Sequence, residues 1–243
     1  MLSIFQKELT TFFSSLIGYI VIGVFLTFLG LMMFVFTDTS LLGYQYATLD
    51  QLFSLAPLIF MFLIPAITMR SFAEENQTGT IELLVTRPLR DLEIVLGKYF
   101  ACLLLVSFAL IPTLLYYYTV YSLGNPVGNI DSGAVAGSYI GLFFLAAGFV
   151  AIGIFASSIS NNQIVAFILA TFLSFLFYWG FFFLSKLPIF VGRVDDVVQM
   201  IGMDYHYNSI SRGVLDSRDI IYFLSLIGVF LMATITSLGR RKW

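Results

Sequence analysis

The chain has 243 residues, of which 59% are hydrophobic and only 11% are charged, and its net charge is −2. Soluble domains carry roughly 25% charged residues, so this composition excludes an ordinary soluble domain and predicts an integral membrane protein. Because the chain is slightly acidic and its basic runs do not exceed three residues, nucleic acid is not an expected partner.

The first fifteen residues predict a short amphipathic helix. Ile4, Phe5, Leu9, Phe12 and Phe13 recur near one helical face, and polar side chains fill the positions between them. Such a helix lies in the membrane interface, here on the cytoplasmic side, with its apolar face toward the lipid. The apolar run that follows is too long for a signal-peptide core, so this region is expected to be retained. A frayed start of the first span is the alternative.

Six apolar segments are long enough to cross a bilayer, which takes about 20 residues of helix. They are Leu16–Phe36, Leu52–Met69, Tyr99–Ser122, Tyr139–Ser157, Ile164–Leu184 and Ile220–Leu238, and none contains Asp, Glu, Lys or Arg. The expected fold is an all-α integral membrane protein in which residues 1–243 form a single domain with six transmembrane helices, surrounded by membrane lipid.

Proline and glycine mark irregular points within these spans. Pro57 and Pro65 in the second span and Pro112 in the third predict kinks, because proline removes a backbone donor. Gly137 and Gly141 form a G-x-x-x-G pattern at the start of the fourth span, which allows close helix packing. Packing within one chain and packing between two chains both explain this pattern.

The distribution of Lys and Arg predicts the topology, because cytoplasmic loops carry the excess of basic residues. Six spans place both termini on one side, together with eight basic residues: Lys7, Arg70, Arg87, Arg90, Lys98, Arg240, Arg241 and Lys242. The other side holds Lys186, Arg193, Arg212 and Arg218. Both termini are therefore expected in the cytoplasm.

The fifth connector, Ser185–Asp219, lies on the outer side in this topology. Val194, Val197, Val198 and Ile201 recur at helical spacing, which predicts a short amphipathic helix on the outer face. His206, the only histidine, is expected to be an exposed loop residue.

The second connector, Phe72–Lys98, is the long polar segment on the predicted cytoplasmic side. Gly79 is a flexible break, Thr78 and Thr80 are candidate N-caps, and Glu82 lies near the positive start of the helix that follows. Pro88 ends that helix after about two turns. The pattern predicts a short cytoplasmic helix.

A second helix is predicted after Pro88. Asp91 is a suitable N-cap for Leu92–Lys98, which runs directly into the third span. The short helix would then be joined to the second span at one end and to the third at the other, as expected of an element that receives motion from a partner. A solvated loop is the alternative.

The residue order of this connector resembles the signature of ABC-2-type transporter permeases. Those proteins carry an E-x-x-x-G-T-x-E-x-L-L-x-x-P pattern and then a Gly-Lys pair before the third helix. Here the pattern is Glu75-Asn-Gln-Thr-Gly79-Thr80-Ile-Glu82-Leu-Leu84-Val-Thr-Arg-Pro88, followed by Gly97-Lys98. The opening MLSIFQKELTTFFSSLIGYIV is similar to the gliding-motility-associated permease subunits of Bacteroidota.

This resemblance implies a permease subunit in the bacterial inner membrane that works with a second permease chain, identical or different, and with a separate cytoplasmic ATPase. It implies that Gly79–Pro88 forms a coupling helix seated in the ATPase, with six positions as coupling residues: Glu75, Gly79, Thr80, Glu82, Leu84 and Pro88. The chain has no G-x-x-x-x-G-K-[ST] phosphate loop, so it is not expected to be an enzyme or to hold a cofactor or metal; ATP would bind the partner.

The sequence fits two other functions less well than it fits a permease. An ion-driven secondary transporter usually holds ionisable groups within the membrane, and none occurs in the six segments. An intramembrane enzyme would need a catalytic constellation, but the chain has one histidine and no H-E-x-x-H pattern. The sequence does not indicate the substrate.

Overall fold

The computed structural model describes residues 1–36, 40–41, 46–80, 90–189, 192 and 194–239, and every regular element within these ranges is helical. The α-helices in chain order are α1 (Leu2–Ser14), α2 (Leu16–Phe34), α3 (Asp50–Thr68), α4 (Arg70–Thr78), α5 (Asp91–Leu110), α6 (Leu114–Leu123), α7 (Ser132–Ile159), α8 (Gln163–Phe175), α9 (Phe181–Ser185), α10 (Asp195–Gln199), α11 (Met203–Ile210) and α12 (Ser217–Gly239). A 3₁₀ turn joins α5 to α6, and a π-helical turn joins α8 to α9. The predicted all-α fold is confirmed.

Five helical stretches are long and apolar enough to cross a membrane: Asp50–Thr78, Asp91–Leu123, Ser132–Ile159, Gln163–Ser185 and Ser217–Gly239. A sixth is obtained when Leu2–Ser14 and Gly18–Phe34, which are bent by 70° from each other, are counted as one broken span. The six-span prediction lies within this range. The helices extend beyond several predicted spans, since the second and third spans continue into the polar connector between them.

The bend between α1 and α2 occurs at Ser15, whose backbone is extended with φ −92° and ψ 128°. α2 alone has 19 residues, which at a rise of about 1.5 Å each is nearly the thickness of a hydrocarbon core. α1 is therefore not needed to complete this span. Its strong bend and its charged residues agree with the predicted helix at the membrane surface.

The two ends of the bundle carry different elements. The connector end holds α1, the ends of α4 and α7, and the start of α5; the far end holds α6, α10, α11 and the start of α7. α12 runs parallel to α7, because Gly137 lies beside Gly213 and Phe155 beside Phe230. The end of α12 and the start of the chain therefore lie at the same end of the bundle, as an even number of spans requires.

α7 is the central helix and packs against α3, α5, α8 and α12. Its glycines allow these close approaches. A Cβ at Gly137 would lie 2.6 Å from the Gly213 backbone oxygen, and one at Gly141 would collide with the Ile210 side chain. The G-x-x-x-G pattern thus packs against the fifth connector of the same chain.

The fifth connector differs from its prediction. The predicted outer helix exists as α10, but Val197 remains 60% exposed and Ile201 47% exposed. The helix that packs on the bundle is α11, which buries Met203, Tyr207 and Ile210. Met203, Tyr207 and Ile210 stand at i, i+4 and i+7, so the spacing that indicates this helix is present in the sequence, although the predicted helix was placed on Val194–Ile201.

The interpretation of His206 as an exposed loop residue is wrong. His206 lies in α11, its Nδ1 atom is 2.7 Å from the Asp219 carboxylate, and its ring stacks on Tyr222 with the centroids 3.9 Å apart. These contacts join α11 to the start of α12.

We expect Gly137→Ala to destabilise the protein by about 1–3 kcal/mol, because the added methyl group meets backbone that has no low-energy way to move aside. Gly228→Ala is the matched control, since a Cβ there would meet no described atom within 4 Å. Thermal unfolding of both variants in the same detergent checks this. Equal midpoints for the two variants would contradict the packing described here.

Candidate functional site

The polar junction at the connector end begins where α3 passes into α4. The Ser157 hydroxyl of α7 accepts hydrogen bonds from the Phe72 and Ala73 N–H groups, each at 3.0 Å, and donates to the Met69 carbonyl. The N–H groups in the first turn of a helix lack acceptors within that helix, and the Ser157 hydroxyl is the acceptor for two such groups at the start of α4. The Asn76 amide also donates to the Ser160 carbonyl at 2.8 Å, so α4 is fixed to the end of α7.

A group of four charged residues, here named the charge cluster, joins three helices beside this junction. It consists of Lys7 and Glu8 in α1, Glu75 in α4 and Lys98 in α5. The Lys98 ammonium lies 2.6 Å from the Glu8 carboxylate and 3.0 Å from the Glu75 carboxylate, and Lys7 lies 2.7 Å from the other Glu75 oxygen. The ion pairs therefore connect α1, α4 and α5 directly.

Lys98 is the most deeply buried member of the charge cluster, with a side chain that is 1% exposed. Its ammonium also donates to the Ser71 carbonyl, so three oxygen atoms surround a group with three N–H donors. A buried charge is tolerated only when it is paired and hydrogen-bonded in this way. Two lysines and two glutamates leave the charge cluster neutral.

Lys7 is more exposed but still belongs to the charge cluster. Partial burial lowers the pKa of Lys7, but the hydrogen bond and charge of Glu75, aided by the charges of Glu8 and Glu74, outweigh burial and leave the pKa above its ordinary value. Lys7 therefore carries a positive charge at neutral pH and neutralises the side of Glu75 that Lys98 does not reach.

Gly97 gives α1 room to approach α5. A Cβ at this position would lie 3.1 Å from the Met1 carbonyl oxygen and 3.2 Å from the Ile4 side chain. The adjacent Lys98 then pairs with Glu8 of the same α1 helix. The Gly97-Lys98 pair thus combines a close backbone approach with a buried charge.

A second contact holds α4 near the corner between α1 and α2. The Arg70 guanidinium donates to the Ser15 hydroxyl at 3.2 Å and lies 3.4 Å from the Glu74 carboxylate. A cavity of about 230 Å³ opens between α1, α4 and α5, and both Arg70 and Glu74 contribute to its wall.

The structure places three of the six predicted coupling residues. Glu75 is 7% exposed and faces the charge cluster. Gly79 ends α4 with a left-handed backbone at φ +70°, a conformation that glycine adopts readily. The Thr80 hydroxyl lies 2.9 Å from that of Thr78. Glu82, Leu84 and Pro88, with the predicted short helix, lie outside the described residues.

The return into the third span is confirmed, with one change at its start. α5 runs without interruption from Asp91 to Leu110, but its N-cap is Arg90 and the predicted N-cap Asp91 is wrong. The reason is Glu93, whose carboxylate accepts the Arg90 N–H at 3.1 Å and so extends the helix backward by one residue.

The charge cluster itself was not predicted. From the sequence, we expect the ionisable residues to lie in connectors and tails. In the structure, Lys98 lies two turns inside α5 and is fully buried. The available signal was that Lys7 and Glu8 are the two ionisable side chains of α1, but their partners lie 68 and 90 residues away in sequence, and only the fold brings them together.

A comparison with protein-family models matches residues 35–203 to the ABC-2 family transporter protein model. The chain belongs to the ABC-2 transporter family. It is therefore a multi-pass membrane protein of the permease type, and the matched region contains α4, α5 and their connector. Lys7 and Glu8 precede the matched region. A search of curated proteins found no match.

We expect Lys98→Met to destabilise this ABC-2 protein by about 3–5 kcal/mol, because Glu8 and Glu75 would lose the charge that compensates them. The control is Lys186→Met, which removes an exposed ammonium that lies over the Phe182 ring. Unfolding midpoints in detergent give the comparison.

A second variant tests whether charge balance is the cause. Adding Glu8→Gln to Lys98→Met removes the carboxylate left unpaired and keeps the Lys7–Glu75 pair, so part of the lost stability should return. If the double variant is no more stable than Lys98→Met alone, lost packing rather than lost charge pairing explains the effect.

Proposed function

We propose that this chain is the membrane-spanning permease subunit of an ABC transporter, and that residues 79–88 receive the motion of a separate ATPase. The observation that carries the proposal is the Glu75–Lys98 ion pair, which joins α4 and α5 just before and just after this segment. Membership in the ABC-2 family and the resemblance of residues 75–98 to its signature support it.

A force on residues 79–88 would move α4 and α5 together, because separating the buried charges of Glu75 and Lys98 is energetically unfavourable. α4 continues into α3, and α5 continues into α6. α1 would follow through Lys7 and Glu8, so the motion would reach three spans. In this scheme Glu75 is a positioning residue, while the exposed Thr80 is available to the ATPase.

The remaining features of the proposal concern location and partners. The sequence predicts an excess of Lys and Arg on the side of this connector, which favours the cytoplasmic face of a bacterial inner membrane, where ATP is available. A second permease chain would complete the transporter. The similarity of the N-terminal sequence to gliding-motility permease subunits favours a different chain as that partner, and favours export, secretion or motility machinery as the process served.

The proposal is tested by cross-linking through a cysteine at Thr80. The native Cys102 is buried, so Thr80→Cys introduces a cysteine that an added reagent can reach. We expect it to cross-link to an ATPase subunit encoded beside this chain. Asn129→Cys, exposed at the far end, is the matched control and should not react with that subunit.

Two results would contradict the proposal. One is equal cross-linking of the ATPase from both cysteines. The other is purification of the chain without any ATPase, together with transport that persists without ATP and stops when an ion gradient is removed. The second result would favour an ion-driven transporter.

A further inference from the structure

A proline in α3 leaves one carbonyl without its helical partner. In an α-helix the carbonyl of residue 53 would accept from the N–H of residue 57, but residue 57 is proline and has no N–H. The Tyr207 hydroxyl of α11 donates to the Phe53 carbonyl instead, at 2.8 Å. Tyr207 is 3% exposed, so water does not compete for this hydrogen bond.

α11 has a second set of contacts at the far end, and these are apolar. Met203 lies over Gly148 and Ile210 lies over Gly141, both in α7. α11 therefore packs on α7 through close apolar contacts and is bound to α3 by a hydrogen bond.

α3 connects this hydrogen bond to the charge cluster at the other end of the bundle. Asp50–Thr78 is a single helical stretch of 29 residues that contains α3 and α4. Phe53 and Glu75 are 22 residues apart within it, a distance of about 33 Å at the rise of an α-helix. The same helical stretch thus carries Glu75 at one end and the acceptor of Tyr207 at the other.

We propose that Tyr207 is a positioning residue that ties α11 to α3, so that a displacement of α4 at the charge cluster shifts α11 at the far end. Breaking the bond would leave a buried hydroxyl and a buried carbonyl without hydrogen-bond partners, which is energetically unfavourable. A movement of α3 is therefore accompanied by a movement of α11. This deepens the proposed function, on which it rests only for the source of the displacement.

A competing route runs through α7, because this helix also reaches both ends. It contacts α4 through Ser157 and α11 through Gly141 and Gly148. An experiment must therefore separate transmission through the Tyr207 hydroxyl from transmission through α7 packing.

The test is hydrogen–deuterium exchange of the Met203–Ile210 amides in the full chain, reconstituted in lipid nanodiscs. Glu75→Gln weakens the charge cluster and serves as the displacement. When Tyr207 is present, we expect Glu75→Gln to change the exchange rates of the α11 amides by about fivefold, a typical size for coupling between two sites. In the Tyr207→Phe background the same change should be less than twofold.

Tyr222→Phe is the matched control. Its hydroxyl also donates to a backbone carbonyl at the far end, that of Ile201 at 2.6 Å, but it extends from α12 rather than binding α3. The effect of Glu75→Gln should survive in this background. Loss of the effect in both backgrounds, an equal effect with and without the Tyr207 hydroxyl, or no effect in any background would each overturn the proposal.

If Tyr207→Phe does not fold, Pro57→Ala is added to it. Pro57→Ala returns an N–H donor to the Phe53 carbonyl, so that carbonyl keeps a partner while the hydrogen bond between α11 and α3 stays broken. In this double variant the effect of Glu75→Gln on α11 should be less than twofold, and an effect of about fivefold would overturn the proposal. None of these measurements requires an ATPase, so their outcome is independent of the Thr80 cross-linking result.

Discussion

The arrangement of the connector end depends on the burial of one ammonium group. Lys98 lies inside the helix that becomes the third span, and its side chain is almost completely removed from solvent. Such a charge must be surrounded by acceptors, and these come from Glu8 of α1 and from Ser71 and Glu75 of α4. Through these contacts the Lys98 side chain joins α1, the second span and the third span.

The helices before and after residues 81–89 are joined to each other, and α4 is also capped by the Ser157 hydroxyl of α7. In the proposed function, a displacement of this segment would pass to the bundle through these contacts. Glu75 belongs to this anchor, and its inward orientation separates its proposed role from that of the exposed Thr80.

The far end follows a related principle, in which a missing backbone partner is replaced from another helix. Pro57 leaves the Phe53 carbonyl without a donor in its own helix, and the Tyr207 hydroxyl of the fifth connector donates a hydrogen bond to it. At the opposite end of the same helical stretch, the Ser157 hydroxyl accepts hydrogen bonds from N–H groups at the start of α4. In both places a neighbouring element binds a backbone group that lacks its partner within the helix.

The sequence by itself determined the helical class, the approximate spans and the polar connector, because these depend on composition and on periodicity along the chain. It also contained the ABC-2 pattern between Glu75 and Lys98. The tertiary structure alone decided how Glu8 and Lys98 pair, that Gly137 and Gly141 pack within the chain, and that α11 is tied to α3. These features depend on contacts between residues far apart in sequence, and no local pattern specifies which buried charge, glycine or carbonyl will meet which partner.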